Sequence, residues 1–208
     1  MIYICKGNVP AVFWEIRRKY NHYDELSHND KNRLKSYLIS EQGGICAYCM
    51  CRIKLETSTI EHYNPRSLKP ELSLDYNNLL AVCTNGRNDT KRDRQCDVSR
   101  GDTTLNLNPC KELDMKHITY KSNGEIVSDI DSFNTDLTVT LNLNNQTLKN
   151  NRKSALKSAL AIIQKQNKGL WKKEYIQKWY NYYRKQESKS EFVGIILFEL
   201  EKRLRRAT

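Results

Sequence analysis

The chain has 208 residues, a formal net charge of +11 and seven cysteines. It is long enough for one large domain or two small ones, with a core that does not depend on disulfides. It has no apolar run near the roughly 20 residues of a membrane span, and its start lacks the basic and then apolar pattern of a secretory leader. We therefore expect a cytoplasmic protein with no membrane partner, in a reducing setting where paired cysteines favour a metal ion over disulfides.

The first half of the chain predicts helices followed by short strands. The assignment rests on apolar residues at three- and four-residue steps for helices, and on short apolar runs bounded by polar, glycine-containing stretches for strands. The expected elements are helices over 11–20 and 24–41, a stop at Gly43-Gly44, short strands between Ile53 and Ile60, a loop entering an apolar strand or turn over 74–83, an exposed loop over 84–95 and a short helix near Cys96.

The second half predicts a β-hairpin, one more strand and three helices. Asn-Gly is the preferred dipeptide of a tight hairpin turn, because both positions need positive φ. Clean alternation of apolar and polar residues indicates the later strand. The expected elements are a hairpin over 116–130 that turns at Asn123-Gly124, a strand over 137–143, and helices over 151–166, 170–187 and 190–206.

These elements predict an α+β fold in four segments. They are an N-terminal helical segment (1–44), a cysteine-containing core (45–110), a β-rich connector (111–148) and basic C-terminal helices (149–208). The last segment holds 16 Lys and Arg against 5 Asp and Glu, whereas residues 1–148 hold 19 of each. Such a run is often only a solvated helical surface, and it could also dock an acidic partner. Because residues 46–97 carry two cysteine pairs around Glu61-His62, we interpret the basic segment as a surface that attracts a polyanion such as nucleic acid.

The last segment also carries aromatic and apolar residues at three- and four-residue steps. They are Trp171, Tyr175, Ile176, Trp179, Tyr180 and Tyr183. We interpret this stripe as part of the core, with contact to a protein partner as the alternative.

Four cysteines in two pairs predict a structural zinc site. They are Cys46, Cys49, Cys83 and Cys96. Zinc prefers four thiolate or imidazole ligands in a tetrahedron, and the two-residue spacer of the first pair lets one turn present both sulfur atoms. The second pair has an unusually long spacer. A redox pair at Cys46 and Cys49 is the alternative, but no βαβ pattern surrounds it, and Cys51 is the main rival ligand.

A carboxylate and a histidine stand between the two cysteine pairs, at Glu61-His62. Hydrolysis of a phosphodiester needs an activated water and a cation at the phosphate. His62 suits the base because its ordinary pKa is near neutral. With Asp97, Glu61 offers a second carboxylate, a pair that favours Mg²⁺ or Mn²⁺ over a softer ion. A lone histidine is more often a partly buried, hydrogen-bonded residue, and only the neighbours weaken that alternative.

The ordered set from Cys46-Ala-Tyr-Cys49 through Glu61-His62 and Asn78 to Cys96-Asp97 resembles the HNH endonucleases. This resemblance implies a zinc-stabilised ββα-metal core flanked by the N-terminal helices, the hairpin region and the C-terminal helices. It also implies roles for single residues: Glu61 and Asp97 as ligands of the catalytic ion, His62 as general base, Asn78 as the brace that orients the base, and Arg66 and Arg100 as contacts to the substrate phosphate. Three positions depart from the family pattern, namely Glu61 for Asp, Asp97 for His or Asn, and Gly86 where a cysteine is expected.

A narrower resemblance extends over most of the chain. The segments Lys6–Pro10, Glu41–Cys49, Ile60–Ser67, Cys96–Asp102 and Leu141–Asn144 with Arg152 are similar to the HNH subunit of Septu anti-phage systems, and related HNH proteins accompany some retrons. The resemblance implies an ABC-type, SMC-like ATPase as partner and a nuclease that is held back until infection.

The sequence therefore predicts a metal-dependent endonuclease, with DNA favoured as substrate. One alternative is a ribonuclease that acts on RNA such as tRNA in a retron-linked system. The other is a non-catalytic, zinc-stabilised module that binds nucleic acid or a partner, in which the histidine has no chemical role.

Overall fold

The computed structural model describes residues 1–85, 93–167 and 169–207. The fold is α+β, as predicted. The helices are α1 (Ala11–Lys19), α2 (His28–Glu41), α3 (Asp97–Arg100), α4 (Glu112–Lys116), α5 (Asp131–Thr135), α6 (Gln146–Gln166), α7 (Lys173–Lys185) and α8 (Val193–Arg206). The strands are β1 (Ser58–His62), β2 (Leu79–Cys83), β3 (Ile118–Tyr120) and β4 (Ile126–Ser128). Among the described helices, none has the length and apolarity that crossing a bilayer requires.

The two predicted N-terminal helices are confirmed, with one shifted boundary. The second helix, α2, starts at His28 rather than at residue 24, because the Ser27 side chain accepts the N–H of Asp30 and caps the helix there. A separate 3₁₀ turn, Tyr23–Glu25, precedes it. Helix α2 ends before Gly43 and Gly44, which both have positive φ, as the sequence predicted.

The first sheet pairs β1 with β2 in antiparallel register. Ser58 faces Cys83 at one end, and His62 faces Leu79 at the other. Strand β2 is fully buried, which fits the predicted apolar strand at the end of 74–83. The side chain of Gln42, just after α2, donates to the Ala81 carbonyl at 2.7 Å and accepts the Ala81 N–H at 2.7 Å. This double hydrogen bond fixes the end of α2 to the middle of β2.

The predicted hairpin is confirmed as β3 and β4, and the predicted strand over 137–143 is wrong. Helix α5 continues into a π-helical turn, Asp136–Thr140. Leu137 and Leu141, four residues apart, are both buried, whereas Val139 between them is 70% exposed. The alternating pattern therefore has a helical explanation, because residues four apart share one helix face. The β content of the connector is limited to the three-residue strands of the hairpin within the part of the chain that the structure describes.

The three C-terminal helices are confirmed as α6, α7 and α8, with α6 beginning earlier than predicted. Asn145 caps α6 by accepting the Leu148 N–H at 2.9 Å. In α7, Ile176, Trp179 and Tyr183 are buried, so the interpretation of the stripe as core is confirmed for these three residues. The alternative, that part of the stripe contacts a partner, stays a prediction.

One hydrophobic cluster contains buried residues from all four predicted segments, for example Leu34, Leu80, Leu137 and Ile196. Most of the predicted exposed loop, including Gly86, lies outside the described residues, as does Lys168 between the predicted helices over 151–166 and 170–187. The short helix expected near Cys96 is confirmed as α3.

Candidate metal centre and adjacent cleft

Four cysteine side chains converge in the interior. The Sγ atoms of Cys46, Cys49, Cys83 and Cys96 lie within 4.8 Å of one another, and all four residues are buried. The Sγ atoms of Cys46 and Cys96 are 3.8 Å apart, and those of Cys49 and Cys83 are 3.7 Å apart. Zinc–sulfur bonds of about 2.3 Å require sulfur atoms about 3.8 Å apart at the corners of a tetrahedron. The predicted four cysteines are therefore positioned to bind a metal ion, and their spacing fits structural zinc.

A tight turn presents the first cysteine pair. Ile45 and Arg52 form an isolated β-bridge. Inside it, the Cys46 N–H donates to the Cys51 carbonyl at 2.9 Å, and the Met50 N–H donates to the Cys46 carbonyl at 3.1 Å. Met50 has a φ of 65°, which closes the turn. The two-residue spacer therefore points both sulfur atoms to the same side, as the sequence predicted.

The second pair comes from two different elements. Cys83 is the last residue of β2, and Cys96 directly precedes α3. Cys96 has a φ of 56°, and its N–H donates to the Leu141 carbonyl at 2.9 Å. A metal ion bound here would therefore tie the start of α3 to the end of the sheet.

Gln95 supports the cluster, and the sequence analysis did not identify it. Its buried Nε2 lies 3.9 Å from the Cys49 sulfur and 3.8 Å from the Cys83 sulfur, in position to donate to both. Asn145 holds the amide in place by donating to its Oε1 at 3.1 Å. Donors of this kind stabilise the negative charge of thiolates around a metal ion. The only indication in the sequence was its position directly before Cys96.

Cys51 lies beside the cluster and is not a member of the four-sulfur group. Its sulfur is 3.3 Å from that of Cys49, and Asn85 Nδ2 donates to it at 3.5 Å. The group whose sulfur atoms lie mutually within 4.8 Å does not include it. Cys5, which is exposed, and Cys110, which is half-buried, are free thiols.

A polar cleft of about 560 Å³ lies where β1 ends. The titratable residues that line it are Asp24, Glu61, His62, Arg66, Asp97 and Asp102. The structure thus brings four of the predicted site residues to one cleft, namely Glu61, His62, Arg66 and Asp97. It places the other two, Asn78 and Arg100, in the buried layer behind the cleft wall.

Glu61 lies between a guanidinium group and a second carboxylate. Arg100 forms an ion pair with Glu61 Oε1, and the Tyr48 hydroxyl donates to the same oxygen at 3.0 Å. Burial and then the neighbouring charge of Asp97 raise the pKa of Glu61 to about 8, although Arg100 acts in the opposite direction. Burial and the charge of Asp97 together therefore outweigh the compensation that the buried arginine provides.

Two adjacent carboxylates fit a hard divalent cation. Such an ion would relieve the repulsion between Glu61 and Asp97. Mg²⁺ is often bound by one or two carboxylates and keeps several waters or substrate oxygens as further ligands. Within the described ranges, no third His, Cys, Asp or Glu completes a cluster with these two residues. The arrangement therefore suits an open site, in contrast to the closed set of four sulfur atoms.

His62 is held as a neutral imidazole. Its Nε2 lies 3.1 Å from the Ser73 carbonyl, so this nitrogen carries the hydrogen and Nδ1 keeps a lone pair. The Tyr23 ring packs edge-on against it, with centroids 4.5 Å apart. Burial lowers the pKa of His62 to about 4. The ring is therefore unprotonated and able to accept a proton at neutral pH.

Asn78 fixes the loop that follows His62. Its Oδ1 accepts the backbone N–H of Asn64 at 2.7 Å, and its Nδ2 donates to the carbonyls of Asn64 and Leu72, each at 3.1 Å. Its own carbonyl accepts the N–H of Tyr63 at 2.8 Å. The side chain therefore acts on the backbone on both sides of the cleft-lining loop and does not face the cleft itself.

Arg100 is not placed to contact a substrate phosphate, which corrects the role that the resemblance implied. Its side chain is fully buried, and its guanidinium also donates to the carbonyls of Thr103 at 2.7 Å and Tyr63 at 2.6 Å. The reason is its place on the inner face of a four-residue helix, three positions after Asp97. Arg100 is an internal counter-charge for Glu61.

Three residues of this site were not recognised in the sequence. Tyr48 stands inside the Cys46–Cys49 turn, where the spacer residues carried no sign of a role beyond geometry. Tyr23 and Asp24 are distant in sequence from His62 and Arg66, so only the fold shows that they meet.

The sequence matches no protein-family model and no curated protein. A functional assignment therefore rests on the chemistry of the cysteine cluster and of the cleft, together with the resemblance to HNH endonucleases.

Proposed function

We propose that the protein is a metal-dependent endonuclease that hydrolyses phosphodiester bonds, with DNA as the favoured substrate and an HNH-type ββα-metal core. The observation that supports this most is the meeting of one imidazole, His62, and two carboxylates, Glu61 and Asp97, at a single polar cleft. An imidazole can serve as the general base of hydrolysis, and a cation beside it can stabilise the charge that develops on the phosphate.

Each residue has a task in the proposed reaction. His62 accepts a proton from the attacking water through Nδ1, because its Nε2 hydrogen is held by the Ser73 carbonyl. The negative charge of a bound phosphodiester raises the low pKa of the imidazole towards the range in which a base works best. Glu61 and Asp97 would hold Mg²⁺ or Mn²⁺, which supplies stabilisation of the charge that develops on the phosphate and on the leaving oxygen.

The surrounding residues keep this arrangement in place. Arg100 and Tyr48 hold one oxygen of Glu61, so the carboxylate has one orientation. Asn78 fixes the loop that begins at Tyr63 and so fixes the position of His62. Zinc at the four cysteines would supply rigidity, since the centre joins the end of β2 to the start of α3.

The test is cleavage of labelled DNA and RNA by the wild-type chain and by His62→Ala. We expect His62→Ala to lower the cleavage rate at least about 100-fold, with unchanged zinc content and circular dichroism. His117→Ala is the matched control, since His117 is exposed and pairs with Asp129 at 2.8 Å on the surface. Omission of Mg²⁺ and Mn²⁺ from the buffer should stop cleavage, and addition of either ion should restore it. Full activity of a folded His62→Ala protein contradicts the proposal.

We extend the proposal to a defence complex on the strength of the resemblance alone. In this extension the chain is the cytoplasmic effector of an anti-phage system and binds an ABC-type, SMC-like ATPase that controls it. The cleavage assay is therefore run on the chain alone and on the chain co-expressed with an ATPase encoded beside it. Co-purification of the two proteins supports the extension, and separate elution of two well-folded proteins contradicts it.

A further inference from the structure

The 3₁₀ turn Tyr23–Glu25 lies against the cleft. The Tyr23 ring meets the His62 ring at an interplanar angle of 89°, and Asp24 is one of the cleft-lining residues. This turn comes from the N-terminal helical segment, outside the predicted core of residues 45–110. The contacts of Tyr23 and Asp24 with the cleft are therefore not part of the predicted core.

Asp24 meets the one basic side chain in the cleft wall. Among the described residues that line the cleft, Arg66 is the single Lys or Arg, and four of the others are Asp or Glu. Asp24 forms an ion pair with Arg66, whose guanidinium also stacks on the Tyr23 ring at 5.0 Å from the centroid. The paired carboxylate therefore neutralises Arg66, the single cationic side chain among the described residues that line the place where a phosphate would bind.

A carboxylate and a phosphate use the same donors of a guanidinium. Arginine offers planar N–H pairs that either group can accept in a bidentate manner. While Asp24 occupies these donors, an incoming phosphate meets an acidic cleft in which none of the described lining residues offers a free arginine. Displacement of Asp24 would expose Arg66 beside His62 without any change in the core.

Displacement of Asp24 from Arg66 requires only a movement of the side chain. The Asp24 side chain is 81% exposed and that of Arg66 is 40% exposed, and an ion pair with this exposure contributes little stability. The turn itself is held by other contacts, since Glu25 Oε2 accepts the N–H groups of Asn21 at 3.0 Å and His22 at 3.2 Å. Asp24 can therefore turn away from Arg66 while the backbone stays in place.

We propose that Asp24 is an intramolecular stand-in for the substrate phosphate, which keeps Arg66 occupied until a nucleic acid displaces it. This inference rests on the proposed function, because it takes the cleft as the place where a phosphodiester binds. It keeps the predicted role of Arg66 in phosphate binding and gives Asp24 a restraining role.

The test measures binding separately from cleavage. A fluorescent DNA oligonucleotide is titrated with the full chain in buffer without Mg²⁺ or Mn²⁺, so that no hydrolysis takes place while zinc stays bound, at several salt concentrations. We expect Asp24→Asn to bind about three- to five-fold more tightly than the wild type, the range that an exposed ion pair allows. The slope of log K against log salt should change by less than about 0.9, the value for one phosphate contact, because Arg66 binds a phosphate in both complexes.

Two further variants separate the release of Arg66 from a general change of charge. Asp102→Asn is the matched control, because it removes one negative charge from the same cleft wall, and it should produce a smaller gain. In the Arg66→Ala background, Asp24→Asn should produce no gain. An equal gain from Asp102→Asn, a gain that survives Arg66→Ala, or no binding even by Asp24→Asn overturns the inference.

The two proposals fail in different ways. Suppose that Asp24→Asn binds more tightly in an Arg66-dependent way but no substrate is cleaved in Mg²⁺. This result contradicts the proposed function and supports the role of Asp24. Suppose instead that the wild type cleaves and Asp24→Asn binds with unchanged affinity. This result contradicts the role of Asp24 and supports the proposed function.

Discussion

The cysteine cluster and the cleft lie close together and offer opposite kinds of ligand to a cation. The cluster offers four identical soft donors, all buried, with Gln95 in position to donate to two of the sulfur atoms. The cleft offers two hard donors on an open side of the molecule. A complete set of protein ligands is typical of structural metal sites, and an incomplete set is typical of catalytic ones.

The two regions also differ in how their negative charges are compensated. The thiolates of the cluster depend on an ion for their compensation. In the cleft the chain carries its own cations, with Arg100 buried behind Glu61 and Arg66 in the wall beside Asp24. We therefore expect removal of a cysteine ligand to affect the whole fold, and changes in the cleft to have graded effects.

The largest effect is expected for Cys96→Ser. The variant should lose its zinc and its cooperative unfolding transition, because structural zinc contributes about 10–16 kcal/mol in small zinc domains, as much as a typical domain's whole stability. Metal analysis and thermal unfolding by circular dichroism measure both. Cys5→Ser, at an exposed free thiol, should change neither. A Cys96→Ser protein with full zinc and an unchanged melting temperature would show that the cluster is not a metal site.

An intermediate effect is expected for Arg100→Gln. Loss of the buried guanidinium should lower the free energy of unfolding by about 3 kcal/mol, because its pairing with Glu61 and its hydrogen bonds to the carbonyls of Tyr63 and Thr103 are all lost. Added Mg²⁺ should then recover more stability in the variant than in the wild type. Urea unfolding with and without Mg²⁺ measures this.

Arg205→Gln is the control for that comparison, because Arg205 forms an exposed pair with Glu201 at 2.8 Å. It should change the free energy of unfolding by less than about 1 kcal/mol. Equal losses in the two variants would mean that Arg100 is not the counter-charge of the cleft.

A smaller effect is expected from the pH dependence of His62. Its pKa is about 4 in the folded protein, against an ordinary value of 6.5, so the unfolded chain takes up the proton first as the pH falls. The contribution to stability is therefore present above pH 6.5 and is lost progressively towards pH 4. Between about pH 7.5 and pH 5 the wild type should lose about 2 kcal/mol that His62→Gln does not lose.

Urea unfolding of both proteins at the two pH values checks this difference. Loss of zinc at low pH and titration of the carboxylates affect both proteins alike, so the difference reports His62 alone. Identical losses in both proteins would mean that the imidazole is not held neutral by the fold.

Patterns among neighbouring residues correctly predicted several turns and the end of a helix. The two-residue spacer of Cys46 and Cys49 predicted a shared turn, the Asn123-Gly124 dipeptide predicted the hairpin, and the glycines after Glu41 predicted the end of α2. Each of these features depends on contacts between residues close in sequence. Such contacts follow from backbone geometry and do not need the rest of the fold.

Features that depend on distant contacts were not predicted correctly. The period of Leu137, Val139 and Leu141 fits a strand or a helix, and only packing against the core decides between them. Arg100 was placed on the right helix, but its direction depends on the buried Glu61. The meeting of Asp24 with Arg66 joins two segments that carry no common pattern, so the sequence contained nothing that would indicate it.

Cys96 and Asp97 are adjacent, and the left-handed backbone of Cys96 joins a sulfur of the cluster to a carboxylate of the cleft. An empty cluster would leave this junction unanchored and displace the carboxylate together with the sulfur. If the proposed function holds, a chain that has not yet bound zinc should therefore lack cleavage activity, and added zinc should restore it.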